Sequence, residues 1–111
     1  MRYMLLICDD PSAEAVPGEG LGAKTEAWVE EMDGRGVRKA GNRLRPASDA
    51  TTVRVRGGEV LLSDGPFAET KEQIAGYDLI ECADLDEAIE VASKHPMAKH
   101  GRIEVRPFWE A

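Results

Sequence analysis

The hydrophobic and polar positions divide the chain into short blocks with different periods. Tyr3 to Cys8 is apolar without a break, the pattern of a central strand covered on both faces. Asp9, Asp10 and Pro11 stop it. Pro11 to Gly22 shows no period and reads as a loop. Leu21 to Arg35 reads as a helix, with Ala23, Ala27, Trp28, Val29 and Met32 forming an apolar stripe and Gly34 and Gly36 ending it. Val37 to Leu44 is a weak strand interrupted by Gly41, and Pro46, Ser48 and Asp49 mark the next loop.

A hairpin follows. Thr51 to Arg56 alternates, Gly57-Gly58 turns, and Glu59 to Leu62 returns. A two-residue Gly-Gly loop suits a primed turn, because both central positions need positive φ. That turn sets Arg56 opposite Glu59, Val55 opposite Val60 and Val53 opposite Leu62, so the apolar pairs share one face. Ser63 to Glu72 is a loop, and Gly76 to Cys82 is a strand. Asp84 and Glu87 form a capping-box pattern ahead of a second helix. Leu85, Ala88, Ile89 and Ala92 are expected to face inward, and His95-Pro96 ends the helix. Arg102 to Phe108 makes a last strand, with Ile103 and Val105 on one face and Glu104 and Arg106 on the other.

The order β-α-β-(hairpin)-β-α-β predicts a single-domain α+β fold over residues 1–111, ferredoxin-like, with an inserted hairpin. Helices cover one face of such a sheet. The other face needs a cover, and a second copy packing sheet against sheet would supply it. The expectation is a homodimer with a cavity between sheets.

Composition narrows the function classes. The net charge is −7, from 21 acids against 14 bases, which argues against a phosphate-backbone binder. The local cluster Arg35, Arg38, Lys39, Arg43 and Arg45 reads as a solvated turn. Cys8 and Cys82 have no metal-ligand spacing and read as buried thiols of a reducing compartment. No metal and no cofactor are expected. No apolar run approaches the ~20 residues that cross a membrane, and the short apolar opening is followed at once by acids. The expected location is cytoplasmic.

The densest chemistry is Asp64-Gly65-Pro66-Phe67-Ala68-Glu69-Thr70-Lys71-Glu72. Structurally, Asp64 to Phe67 makes a corner: Asp64 suits an Asx-type turn, Pro66 fixes its own φ, and Phe67 plugs an apolar gap. Chemically, Asp64 and Glu69 are the candidate acid–base pair, since carboxylates in different surroundings can have separated pKa values. Lys71 is a candidate anchor for a carboxylate or phosphate. Phe67 is a candidate ligand contact. Tyr3 and Tyr77 are further candidates, on strands that could face the inter-sheet cavity.

The nine-residue motif resembles the signature of YCII-related proteins of the DGPF type. Met1 to Ile7, Leu44-Arg45-Pro46, Ala50 to Arg54, Asp84 to Ala88 and Glu104 to Pro107 extend the likeness along nearly the whole chain. The resemblance implies a dimeric α+β barrel of ferredoxin-like subunits. It also implies a genomic association with extracytoplasmic-function sigma factors. Some branches of the family carry a His–Asp pair proposed to be catalytic. His95 and His100 lie at or beyond the end of the second helix and match no early-strand histidine, so that dyad is not carried over. Two functions are expected to compete. One is a small-molecule-binding homodimer with acid–base activity. The other is a non-catalytic accessory protein acting with a sigma factor.

Overall fold

A computed structural model describes residues 1–9, 21–65 and 73–110. Six strands and three helices follow in the order β1 (Arg2–Asp9), α1 (Leu21–Gly34), β2 (Arg38–Arg43), β3 (Thr51–Arg56), β4 (Glu59–Asp64), β5 (Gln73–Glu81), α2 (Leu85–Ser93), α3 (Met97–His100) and β6 (Gly101–Pro107). A single 3₁₀ turn at Ala47–Asp49 precedes the hairpin.

Four strands form one antiparallel sheet in the order β2-β5-β1-β6, and β3-β4 stands apart as a two-stranded hairpin. This is the ferredoxin-like arrangement with an insertion between β2 and β5. The unbroken apolar run becomes β1, an interior strand, as its two-sided pattern requires. Tyr3, Leu5 and Ile7 point to the helix side and are buried; Met4, Leu6 and Cys8 point the other way and are half-buried. Cross-strand pairing extends both faces. Tyr3 meets Ile80 and Leu5 meets Asp78 on the helix side, while Met4 meets Leu79 and Leu6 meets Tyr77 on the open side.

The helices close over Tyr3, Leu5 and Ile80 with Trp28, Met32, Ala88, Val91 and Ala92. Trp28 belongs to this core, and its indole N–H donates to the Val91 carbonyl at 3.0 Å. Helix α1 ends in a Schellman motif. The Val37 N–H donates to the Met32 carbonyl and the Gly36 N–H to that of Asp33, with Gly36 at φ 72. The Asp84 side chain caps α2 by accepting from the Glu87 N–H at 2.9 Å.

The helix faces correct two expectations. Ala23 and Ala27 are exposed on α1, so its inward stripe shrinks to Trp28, Met32 and part of Val29. On α2, Leu85 and Ile89 are half exposed, while Ala88, Val91 and Ala92 are buried. Val91 therefore faces the core where Leu85 and Ile89 were expected to.

The expected hairpin register is the observed one, from Thr51–Asp64 to Arg56–Glu59. Gly57 and Gly58 both have positive φ, 58° and 78°. Every residue of β3 and β4 except Thr52 is exposed.

Candidate functional site

A cavity of about 1050 Å³ opens between α1 and one end of the sheet. Its floor is the helix side of β2 and β5, with Gly41, Gly76 and Asp78. Leu21, Thr25 and Val29 of α1 form one wall, and His95 and Met97 close it behind α2. Asp9 and Gln73, paired across β1 and β5, stand on the lining. They are the described residues next to segments 10–20 and 66–72.

Asp78 is the unusual residue here. Strand alternation puts it in phase with Ile80 on the buried side, where it is only 5% exposed. It lies between Leu5 on β1 and Gly41 on β2. The Arg38 Nε donates to its Oδ1 at 2.8 Å, forming an ion pair on the inner side of the sheet. Burial pushes the Asp78 carboxyl above its usual range, and Arg38 pulls in the opposite direction. Burial also works against the charge on Arg38, but its bonds to Asp78 and Asp33 outweigh that and hold the guanidinium protonated. Gly41 makes the pair possible. A Cβ there would collide with Asp78 Oδ1 and approach the Arg38 guanidinium to 2.7 Å.

His95 is 3% exposed and stacks edge-on against Trp28, with ring centroids 4.7 Å apart. Burial lowers its pKa from 6.5 to about 4, so the ring is neutral at pH 7. Its Nδ1 accepts the Met97 N–H at 3.0 Å, which assigns the ring proton to Nε2. That Nε2–H has no acceptor among the described residues. No fully enclosed side-chain nitrogen or oxygen among the described residues lacks a partner, and His95 is one of the residues that line the cavity. Arg43, on the same lining, has no acidic partner among the described residues.

The basic cluster seen in the sequence is dispersed by the fold. Arg35 makes a two-pronged bond to Glu90 at 2.7 and 3.0 Å, tying α1 to α2 at the surface. Arg38 turns inward to Asp78, and Arg45 pairs with Asp49.

Of the six residues singled out from the sequence, Asp64, Tyr3 and Tyr77 are described, and these three do not come together. Asp64 ends β4, exposed, opposite Thr51, and does not line the cavity. Next to it the chain turns a corner: Gly65 has φ 91, donates to the Ala50 carbonyl at 2.7 Å and accepts from the Thr52 hydroxyl at 2.8 Å. Phe67, Glu69 and Lys71 lie outside the described residues. Tyr3 faces the helix side as part of the core, and its hydroxyl donates to the Met1 sulfur at 3.6 Å. Tyr77 is half-buried on the open side, opposite Leu6 and Asn42. The two tyrosines therefore sit on opposite faces of one sheet. Cys82 is buried, and burial, followed by the charge of Glu87, raises its thiol pKa, which keeps it protonated and unreactive at neutral pH.

Sequence reasoning passed over Asp78, Arg38 and His95, although each left a signal. Asp78 is a lone acid in the inward phase of Gly76-Tyr77-Asp78-Leu79-Ile80. His95 continues the buried stripe Ala88–Val91–Ala92 by one more turn. Gly41 interrupts a strand at the position where the neighbouring strand needs room.

Among the described residues, no helix is long and apolar enough to cross a membrane. No group of three or more His, Cys, Asp or Glu could hold a metal ion there. Comparison with known proteins finds one relative 43% identical over 97% of this chain and 92% of its own length: "Uncharacterized protein R00369" of Rhizobium meliloti (strain 1021). The YCII-related domain matches residues 1–111. On that whole-length match and the antiparallel α+β fold beneath it, the chain belongs to the YCII-related domain family.

Proposed function

We propose that this protein is a homodimer that binds a small molecule in the cavity between α1 and the sheet. The observation that carries the reading is the cavity itself, with a buried carboxyl–guanidinium pair and a neutral imidazole on a lining that mixes apolar residues with Asp9, Glu26, Arg43 and Arg45. Small-molecule sites combine apolar walls with a few placed polar groups. The His95 Nε2–H and the Arg43 guanidinium suit a ligand with a carbonyl or carboxylate oxygen. Ile7, Leu21, Val29 and Met97 suit its hydrocarbon body. The acid–base role expected of Asp64 and Glu69 is better supported at Asp78 and His95, whose surroundings move their pKa values away from the ordinary ones in opposite directions. Homodimer formation is supported by the apolar centre of the open sheet face, Met4, Leu6, Tyr77 and Leu79.

A thermal-shift panel of small keto and carboxylic acids at pH 7 tests the binding reading. A ligand at one hundred times its Kd stabilises by about 2.7 kcal/mol, which is several degrees in Tm for a domain of this size. His95→Asn keeps an acceptor near the Met97 N–H but has no donor at the reach of Nε2, and should weaken binding at least tenfold. A panel with no response at millimolar concentration would sink the reading.

A further inference from the structure

Strands β1 and β2 both pair antiparallel with β5, which lies between them, so they run parallel to each other. With α1 they make a split β-α-β unit. The ends of both strands and the first turns of α1 surround the mouth of the cavity. Three charged side chains stand there, all exposed: Asp9 at the end of β1, Arg43 at the end of β2, and Glu26 on α1.

The charges of the lining do not cancel among themselves. Arg38 and Asp78 hold each other on the floor, and Arg45 turns to Asp49. The side chains of Arg43, Asp9 and Glu26 have no hydrogen-bond or ion-pair partner among the described residues. Register explains why Arg43 and Asp9 do not meet. Arg43 pairs with Gly76, and Gly76 pairs with Ile7, so these three make one row across the sheet. Asp9 follows Ile7 by two residues, in the same phase. Strand spacing puts the Arg43 and Asp9 Cα atoms roughly 12 Å apart. Between them Gly76 has no side chain, which leaves the floor bare. A cation and an anion thus face one space from opposite sides. Ile7 and Val29 flank that space with apolar surface.

We infer that the mouth of the cavity binds a zwitterion, an α-amino acid with an apolar side chain: Arg43 donates to its carboxylate, Asp9 accepts from its ammonium, and Ile7 and Val29 take its hydrocarbon part. This rests on the cavity-binding reading above and names the ligand class. Each charge of such a ligand meets an opposite charge as it leaves water, which offsets the cost of desolvating it. A dianion such as phosphate meets Arg43 but also Asp9 and Glu26, and is disfavoured. A 2-oxo acid satisfies Arg43 and leaves Asp9 without a partner.

The test is isothermal titration calorimetry on the full chain at pH 7. The probes are leucine, methionine and phenylalanine, each beside its own 2-oxo acid. Wild type is compared with Asp9→Asn and Arg43→Gln, with far-UV circular dichroism as a control of folding. Both positions are exposed, so neither change disturbs the core. The expected result is that at least one amino acid binds about fivefold or more tighter than its 2-oxo acid, a preference within the reach of an exposed ion pair. Asp9→Asn should remove that preference and leave 2-oxo acid binding in place. Arg43→Gln should weaken both kinds of ligand. Oxo acids that bind as well as the amino acids, or a preference that survives Asp9→Asn, overturn the zwitterion site and leave the cavity reading standing. Amino acids and oxo acids that all fail to bind at millimolar concentration overturn both.

Discussion

The four-stranded body and the β3–β4 hairpin are made by opposite means. In the hairpin, local rules settle everything that can be seen. Two glycines with positive φ fix the turn, alternation fixes the faces, and the register follows. Nothing distant contributes, and the product is an ordered element with its apolar side in water. In the body, local rules are often overruled. An aspartate sits in the buried phase, a histidine ends on the core side of its helix, and Leu85 and Ile89 stay half exposed while two alanines are buried. Good local coding therefore gives a shape without a destination. The residues that break the local pattern mark where tertiary structure makes a site.

Several measurements would break or sharpen that contrast. Asp78→Ala leaves Arg38 with only its longer, exposed bond to Asp33, and breaking a buried pair costs about 3–5 kcal/mol. Urea denaturation should show a loss of that size; a loss under 1 kcal/mol would mean that the pair is open to water. The pH dependence comes next. His95 takes a proton at about 4 when folded and at 6.5 when unfolded. Between those values the unfolded chain holds more protons, so stability falls as pH falls from 6.5 towards 4. The full effect approaches about 3 kcal/mol below pH 4. Asp78, with a raised pKa, acts in the opposite sense, its contribution being lost as pH rises through its folded value. The difference between wild type and His95→Asn isolates the histidine, and the variant should lack the loss between pH 6.5 and 4.

Gly41→Ala forces a methyl group into the Asp78–Arg38 pair and should cost about 2 kcal/mol by overpacking. Chemical denaturation reads it, and an unchanged midpoint would mean that the two strands part easily. The smallest effect compares the regions directly. Val91→Thr puts a hydroxyl into the core and should cost about 1–2 kcal/mol. Val53→Thr on the hairpin should stay within about 0.5 kcal/mol at concentrations too low for association. Equal costs would show that the hairpin is packed against its own body.

The sequence was most legible where the signal is local. The hairpin, the Asp84 cap, the stop at His95-Pro96 and the interior place of β1 all rest on residues a few positions apart. The short α3 was not visible, because four residues after a proline carry no period. The candidate site was legible only in fragments. The motif from Asp64 to Glu72 drew attention by its density of charge, yet its one described carboxylate, Asp64, is exposed on the hairpin. Asp78, Arg38 and Gly41 are separated by up to 40 positions and look ordinary one by one. Only strand pairing sets Gly41 against Asp78 and gives Arg38 an acid to turn to.

By itself, the amino-acid order determined every strand and the two longer helices, the hairpin register and the α+β class, since periodicity and turn chemistry act over a few residues. The tertiary structure decided which carboxyl and which imidazole lose their water, because desolvation depends on what packs on both sides of a strand or helix. A linear pattern reports only one of those sides.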